Sequence, residues 1–114
     1  MQLQSGDVVI AFIWNKPRPV VVLEVHEDED ACIVVPMTTH KGKPGKLRKE
    51  LANGNTFALD LARELDGRAN FISYLKLRCI REYRLSKIHK KVGSLRTQTW
   101  VSIMMYIKLT RKRL

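Results

Sequence analysis

The chain has 114 residues, 45% of them apolar, and carries 21 Lys and Arg against 11 Asp and Glu, a formal net charge of +10. That length and apolar share fit one domain over residues 1–114 and argue against a disordered chain. Mean hydropathy is -0.21, no apolar run nears the roughly 18–20 residues that cross a bilayer, and the first seven residues lack the pattern of a secretory leader. No membrane span is expected, and a cytoplasmic location is.

Gly6 and Asp7 open an apolar run over residues 8–13 whose length and β-branching predict a buried strand. Trp14-Asn15-Lys16-Pro17 reads as a tight connection. Pro17 and Pro19 bracket Arg18, and neither offers a backbone donor. Arg18 is therefore expected at the edge or mouth of a sheet, not inside a ladder. Residues 20–25 predict a second strand, Glu27-Asp28-Glu29-Asp30 a solvated acidic turn, and residues 32–37 a third strand antiparallel to the second.

A basic loop follows over about residues 40–55, with Lys41, Lys43, Lys46, Arg48 and Lys49, without an acid among residues 41–49, and with Gly42, Pro44 and Gly45 as breakers. Residues 56–61 suggest a fourth strand, and residues 62–65 one helical turn ended by Asp66 and Gly67. Leu75, Leu77 and Cys79 alternate with Lys76 and Arg78, which predicts a half-buried strand with one basic face. Residues 81–88 read as a short helix or turn, and residues 89–92 as a short strand stopped by Gly93.

Residues 97–109 predict a helix, with Trp100, Ile103, Met104, Ile107 and Leu109 at helical spacing and Thr97 or Ser94 as its cap. Val101 and Met105 lie on its other side, so it is apolar more than halfway round and offers a second surface suited to a subunit contact. The sum is a mainly β domain of five or six short strands, a partly closed barrel capped by a C-terminal helix.

The basic excess favours a polyanionic partner. From Lys76 to Arg96 the one acid is Glu82, so the basic loop and this second half form the natural track for such a partner. The basic end, Arg111-Lys112-Arg113, reads as a solvated terminus. His26, His40 and His89 lie far apart and the two Cys lack metal-ligand spacing, so neither a metal nor another cofactor is expected. No glycine pattern for a nucleotide phosphate loop is present. Cys32 and Cys79 read as buried thiols; the basic neighbours Arg78 and Arg81 leave an activated Cys79 as the other reading. Arg18, on a stiff platform between prolines, suits a phosphate or a structural ion pair. Thr38 and Thr39 suit phosphate oxygens or a strand cap. Trp14 suits a stacked base or a core anchor.

The order Gly6-Asp7-Val8, Arg18-Pro19-Val20-Val21-Val22, Val34-Val35-Pro36-Met37-Thr38-Thr39, Leu77-Arg78-Cys79-Ile80, Leu85-Ser86-Lys87 and Lys91-Val92-Gly93-Ser94-Leu95, closed by a helix, resembles the MazF/PemK toxins of toxin–antitoxin systems. The resemblance covers most of the chain. It implies an SH3-like barrel of the CcdB–MazF type with added helix, usually homodimeric, and a metal-independent endoribonuclease that cuts single-stranded mRNA. The ribose 2′-OH would attack the adjacent phosphate and leave a 2′,3′-cyclic phosphate and a 5′-OH. Arg18 would stabilise the phosphorane and Thr38 would hold a phosphate oxygen. An acidic antitoxin is the implied protein partner. Together with the charge distribution this makes Trp14, Lys16, Thr39, His40, Lys41, Lys43, Lys76 and Arg78 the expected RNA contacts.

Some features depart from the family pattern. The connection after the first strand is shorter than usual, the basic loop is longer, and Ser73 and Leu75 stand where some members carry an Arg and an acid. No residue is assigned as general base; His40 and Lys16 are nearest in sequence. Two other readings stay open on the same fold: a toxin that binds a protein such as gyrase, as CcdB does, and a binding module for nucleic acid that does not cut.

Overall fold

The computed structural model describes residues 2–39, 56–60, 64–65 and 72–111. Strand β1 (Asp7–Ile13) and β2 (Lys16–His26) form an antiparallel hairpin. Its connection is shorter than residues 14–17: only Trp14 and Asn15 turn, with φ of 54° and 63°. Two successive left-handed residues match the right-handed twist of the flanking strands. β2 passes through a single 3-10 turn, Glu27–Glu29, into β3 (Ala31–Thr39). Asp30 closes that turn at φ 49°, and its carboxylate accepts the Ser86 N–H at 3.1 Å and the Ser86 hydroxyl at 2.8 Å. One residue of the acidic run is thus tied down rather than merely solvated.

The remaining described strands are β4 (Thr56–Asp60), β5 (Ile72–Lys76), β6 (Arg81–Arg84) and β7 (Lys90–Ser94). The sheet runs β4-β5-β3-β2-β1-β7, with β6 also on β3. β3 holds β2 on one edge and both β5 and β6 on the other. Between the pairs Met37↔Leu75 and Val34↔Arg81, β3 advances three residues and its partner six. The surplus is taken up by the 3-10 turn Leu77–Cys79. The strand expected through residues 75–79 therefore ends at Lys76, and Lys76 and Arg78 do not share a strand face. Leu77 still reaches the core.

Two further expectations are corrected. Residues 81–84 are strand, because their backbone completes the free edge of β3, and only Leu85–Lys87 forms a helical turn. Gly93 lies within β7 and does not stop it. A Cβ at Gly93 would come within 2.7 Å of Leu65 Cδ2, so the glycine there allows close packing.

Successive residues of the valine-rich strands enter different cores, which is why their sequence is nearly continuous in apolar residues. Val8, Val21, Val35, Met37 and Leu75 pack with Ile103 and Ile107 of the C-terminal helix α1 (Thr97–Arg111). Val9, Ala11, Ile13, Val20, Val22, Cys32 and Val34 pack on the opposite face with Leu3 and Ile88. The result is the mainly β barrel-like architecture with a C-terminal helix that the patterning predicts, with seven described strands in place of five or six. Val101, Met104, Met105 and Leu109 are left exposed on α1.

The cap of α1 comes from a distance. The Glu64 carboxylate accepts the Arg96 N–H at 2.8 Å and the Thr99 hydroxyl. An acid here also faces the positive end of the helix dipole. Ser94 is engaged elsewhere, donating to Asp7 Oδ1 at 2.7 Å. Asp7 is 2% exposed and is satisfied further by the Gln4 N–H at 2.8 Å and by Lys91 Nζ at 3.3 Å. A buried carboxylate is tolerable because its donors replace water. Cys32 and Cys79 are both free thiols; Cys32 is buried and Cys79 half-buried. The Cys32 thiol donates to the Tyr83 carbonyl at 3.3 Å. Burial, reinforced by Asp30 and Glu82, pushes that thiol up from 9.0 to about 11.

Two outcomes follow. Asp7→Ala strands the donors of Gln4 and Ser94 and is expected to lower stability by about 2 kcal/mol, read by urea unfolding. The native Cys32 thiol keeps its proton more tightly than the unfolded one. Its contribution is full below pH 9.0 and lost as pH rises to about 11. Unfolding curves of the wild type and Cys32→Ala should therefore converge across that interval.

Candidate functional site at the end of the first hairpin

The β2–β3 ladder begins at Val20↔Pro36. Before it, residues 16–19 of β2 pair only with β1, and beyond it residues 37–39 of β3 pair with β5. The two strands part at this point. Continuing the Val20↔Pro36 register by two residues sets Arg18 level with Thr38 across the gap. Arg18 lies within a ladder after all, opposite Ala11, but that ladder is one-sided. The Val22 carbonyl takes the Gly6 N–H at 2.8 Å, so even-numbered residues in this part of β2 turn their peptide groups toward β1. Pro17 and Pro19 have the opposite parity and turn their nitrogens to the gap, where no hydrogen bond is forfeited.

Arg18 is half-buried, and two contacts aim it. Its Nε donates to the Ile13 carbonyl at 3.1 Å, and its guanidinium lies over the Trp14 ring, 5.0 Å from the centroid. The terminal guanidinium nitrogens have no protein partner among the described residues. The ion-pair reading of Arg18 therefore has no counterpart among those residues. Trp14 is 44% exposed, which removes its reading as a core anchor. A bulky residue with φ 54° is sterically strained, at a cost on the order of 1–2 kcal/mol. The cation–π contact offsets part of that cost.

The other expected residues distribute as follows. Lys16 opens β2 opposite Ile13 and is exposed. Thr38 and Thr39 end β3, opposite Tyr74 and Ser73 of β5. Lys76 closes β5 opposite Thr56, and Arg78 is exposed on the 3-10 turn. Trp14, Lys16 and Arg18 thus gather at one hairpin end, with the end of β3 across the gap, while Lys76 and Arg78 follow the opposite edge of β3. His40, Lys41 and Lys43 lie outside the described residues, as does the rest of the basic loop. Leu75 is a fully buried core residue. Among the described residues, no group of three His, Cys, Asp or Glu is gathered as a metal ion would require. No described helix is long and apolar enough to cross a membrane.

Two residues near the site were not singled out by sequence. Phe12 is 51% exposed, and its N–H donates to the Tyr83 hydroxyl at 3.2 Å. Phe12 reads as one more apolar strand residue, and Tyr83 lies in a segment expected to be helix or turn, so neither carries a local signal.

The fold is that of the MazF toxins. Among solved structures, Mycobacterium tuberculosis toxin MazF-mt6 is similar at a TM-score of 0.63 and 17% identity, over 89% of this chain and 91% of that one. A second, described as an Mtb toxin, is similar at 0.58 and 15% identity, over 87% and 96% of the two chains. No family model matches the sequence, and no curated protein does.

The strain at Trp14 has a measurable consequence. Trp14→Gly removes a large side chain yet relieves the left-handed turn. Its unfolding free energy should stay within about 1 kcal/mol of the wild type, by urea titration. A loss of several kcal/mol would show that the ring holds the hairpin together.

Proposed function

We propose that the chain is the toxin of a toxin–antitoxin pair and a metal-independent endoribonuclease acting on single-stranded mRNA in the cytoplasm. The observation that carries this reading is the placement of Arg18: aimed by the Ile13 carbonyl and Trp14, and level with Thr38 across the opened β2–β3 gap. The MazF-like fold and the net charge of +10 support it. In the reaction the ribose 2′-oxygen bonds to phosphorus and the bond to the 5′-oxygen breaks. A cyclic phosphate and a 5′-OH result. Charge builds on the non-bridging oxygens, where a preoriented guanidinium acts most strongly. Thr38 would steady one of those oxygens. Thr39, Lys16, Lys76 and Arg78, with His40, Lys41 and Lys43, would line the path of the strand, and Trp14 would stack on a base.

The same basic surface suits an acidic antitoxin segment that folds on binding. The exposed Val101, Met104, Met105 and Leu109 on α1 suit a homodimer contact. A second reading, a binding module that does not cut, is favoured by one observation. No carboxylate or imidazole among the described residues is bonded to Arg18, so none of those residues is tied to it as a general base.

The deciding experiment is a long single-stranded RNA incubated with the protein in EDTA, with end-group analysis of the products. Cyclic-phosphate ends are expected, with Arg18→Ala at least ~100-fold slower and Arg18→Lys only partly restored, because a point charge does not reproduce the planar fork. Salt-sensitive RNA binding without cleavage would establish the binding module instead.

A further inference from the structure

On the far side of β1 from Arg18 the sheet edge is finished by a backbone amide and a side chain. β7 pairs with β1 only as far as Ile10↔Lys90. The His89 N–H then donates to the Ile10 carbonyl at 3.0 Å, and the Phe12 N–H to the Tyr83 hydroxyl. That hydroxyl lies 3.5 Å from the Lys87 carbonyl. The corner so formed is a pocket of about 520 Å³ lined by Phe12, Tyr83, Ser86, Lys87, Ile88 and His89. Two aromatic rings, an ammonium and an imidazole line it, and no carboxylate of the described residues does. The acid bonded to a lining residue, Asp30, is turned onto Ser86.

Resting on the ribonuclease reading above, we infer that this pocket is a nucleotide subsite that holds one base of the single strand, across β1 from Arg18. Position supports it. Phe12 and Ile13 are neighbours, and the Ile13 carbonyl anchors Arg18 while the Phe12 N–H anchors Tyr83. Neighbouring strands lie ~4.8 Å apart, and the pocket sits on the outer edge of β1, the strand paired directly with the one that carries Arg18. Chemistry supports it as well. Single strands are held by aromatic faces interleaved with cations, since every base has a π-face. Phe12 is half exposed, and the Lys87 ammonium beside it suits the flanking phosphate.

The test uses a hexaribonucleotide of mixed sequence with 2′-O-methyl sugars, which lacks the nucleophile and can bind but not be cut. Binding is read by fluorescence anisotropy, and the site by NMR. Phe12→Ala should weaken binding about tenfold with an unchanged unfolding midpoint, since the ring lies outside both cores. Lys87→Ala should reduce the salt dependence by about one phosphate contact. The Tyr83 and His89 ring signals should shift on titration. Undiminished binding by Phe12→Ala, with those signals unmoved, overturns the subsite. So does a polyglutamate peptide that displaces the oligonucleotide and depends equally on Phe12. Because the probe cannot be cut, failure of the cleavage assay leaves this result readable. Loss of binding in Arg18→Ala with none in Phe12→Ala would sink the subsite alone.

Discussion

β3 is the constraint on which the rest depends. Its nine residues carry β2 along one edge and two separate strands along the other. Neither edge can slip, because a shift of one residue would exchange Val34 and Val35 between two cores that are both closed to water. That fixed register also sets where β2 and β3 separate. The gap beyond Val20↔Pro36 arises because β5 takes over β3 at Met37, leaving β2 to its hairpin partner. The opening that receives Arg18 is thus a product of strand exchange at β3, set by residues well away from the guanidinium.

The hairpin end shows local preference yielding to the site. A two-residue turn of this kind ordinarily draws on glycine and asparagine. Asn15 conforms, and Trp14 does not. The departure coincides with a ring in contact with Arg18, and strain of this sort collects where side-chain placement matters. Ile13 serves both packing and the site: its side chain is buried, and its carbonyl steers the guanidinium.

Much of this was legible in the chain. Dense valine runs announce strands buried on both faces, and Ile103 and Ile107 at helical spacing announce the covering helix. The prolines around Arg18 announce an edge. What stayed hidden was non-local. The 3-10 turn at Leu77–Cys79 exists because two strands must share β3, and the Leu-Lys-Leu-Arg-Cys alternation gives no hint of that surplus. Glu64 caps a helix that starts more than thirty residues later, so no local capping pattern could reveal it. For the candidate site, residue types and order marked Arg18 and Thr38, but their common level across the gap follows only from a ladder register. Phe12 and Tyr83 meet across 71 residues and carried no motif.

The Tyr83 hydroxyl has a consequence for solubility. Past Ile10, no strand among the described residues pairs with the outer edge of β1, and an apolar edge with free amides is a template on which another chain can add a strand. By taking the Phe12 N–H, Tyr83 withdraws the next amide from that template, while Lys90 and Lys91 set charge along the adjoining β7. The corner can therefore keep an aromatic ring open to solvent without inviting β-aggregation. A molecule so rich in valine needs such a gatekeeper if it is to display apolar surface at all.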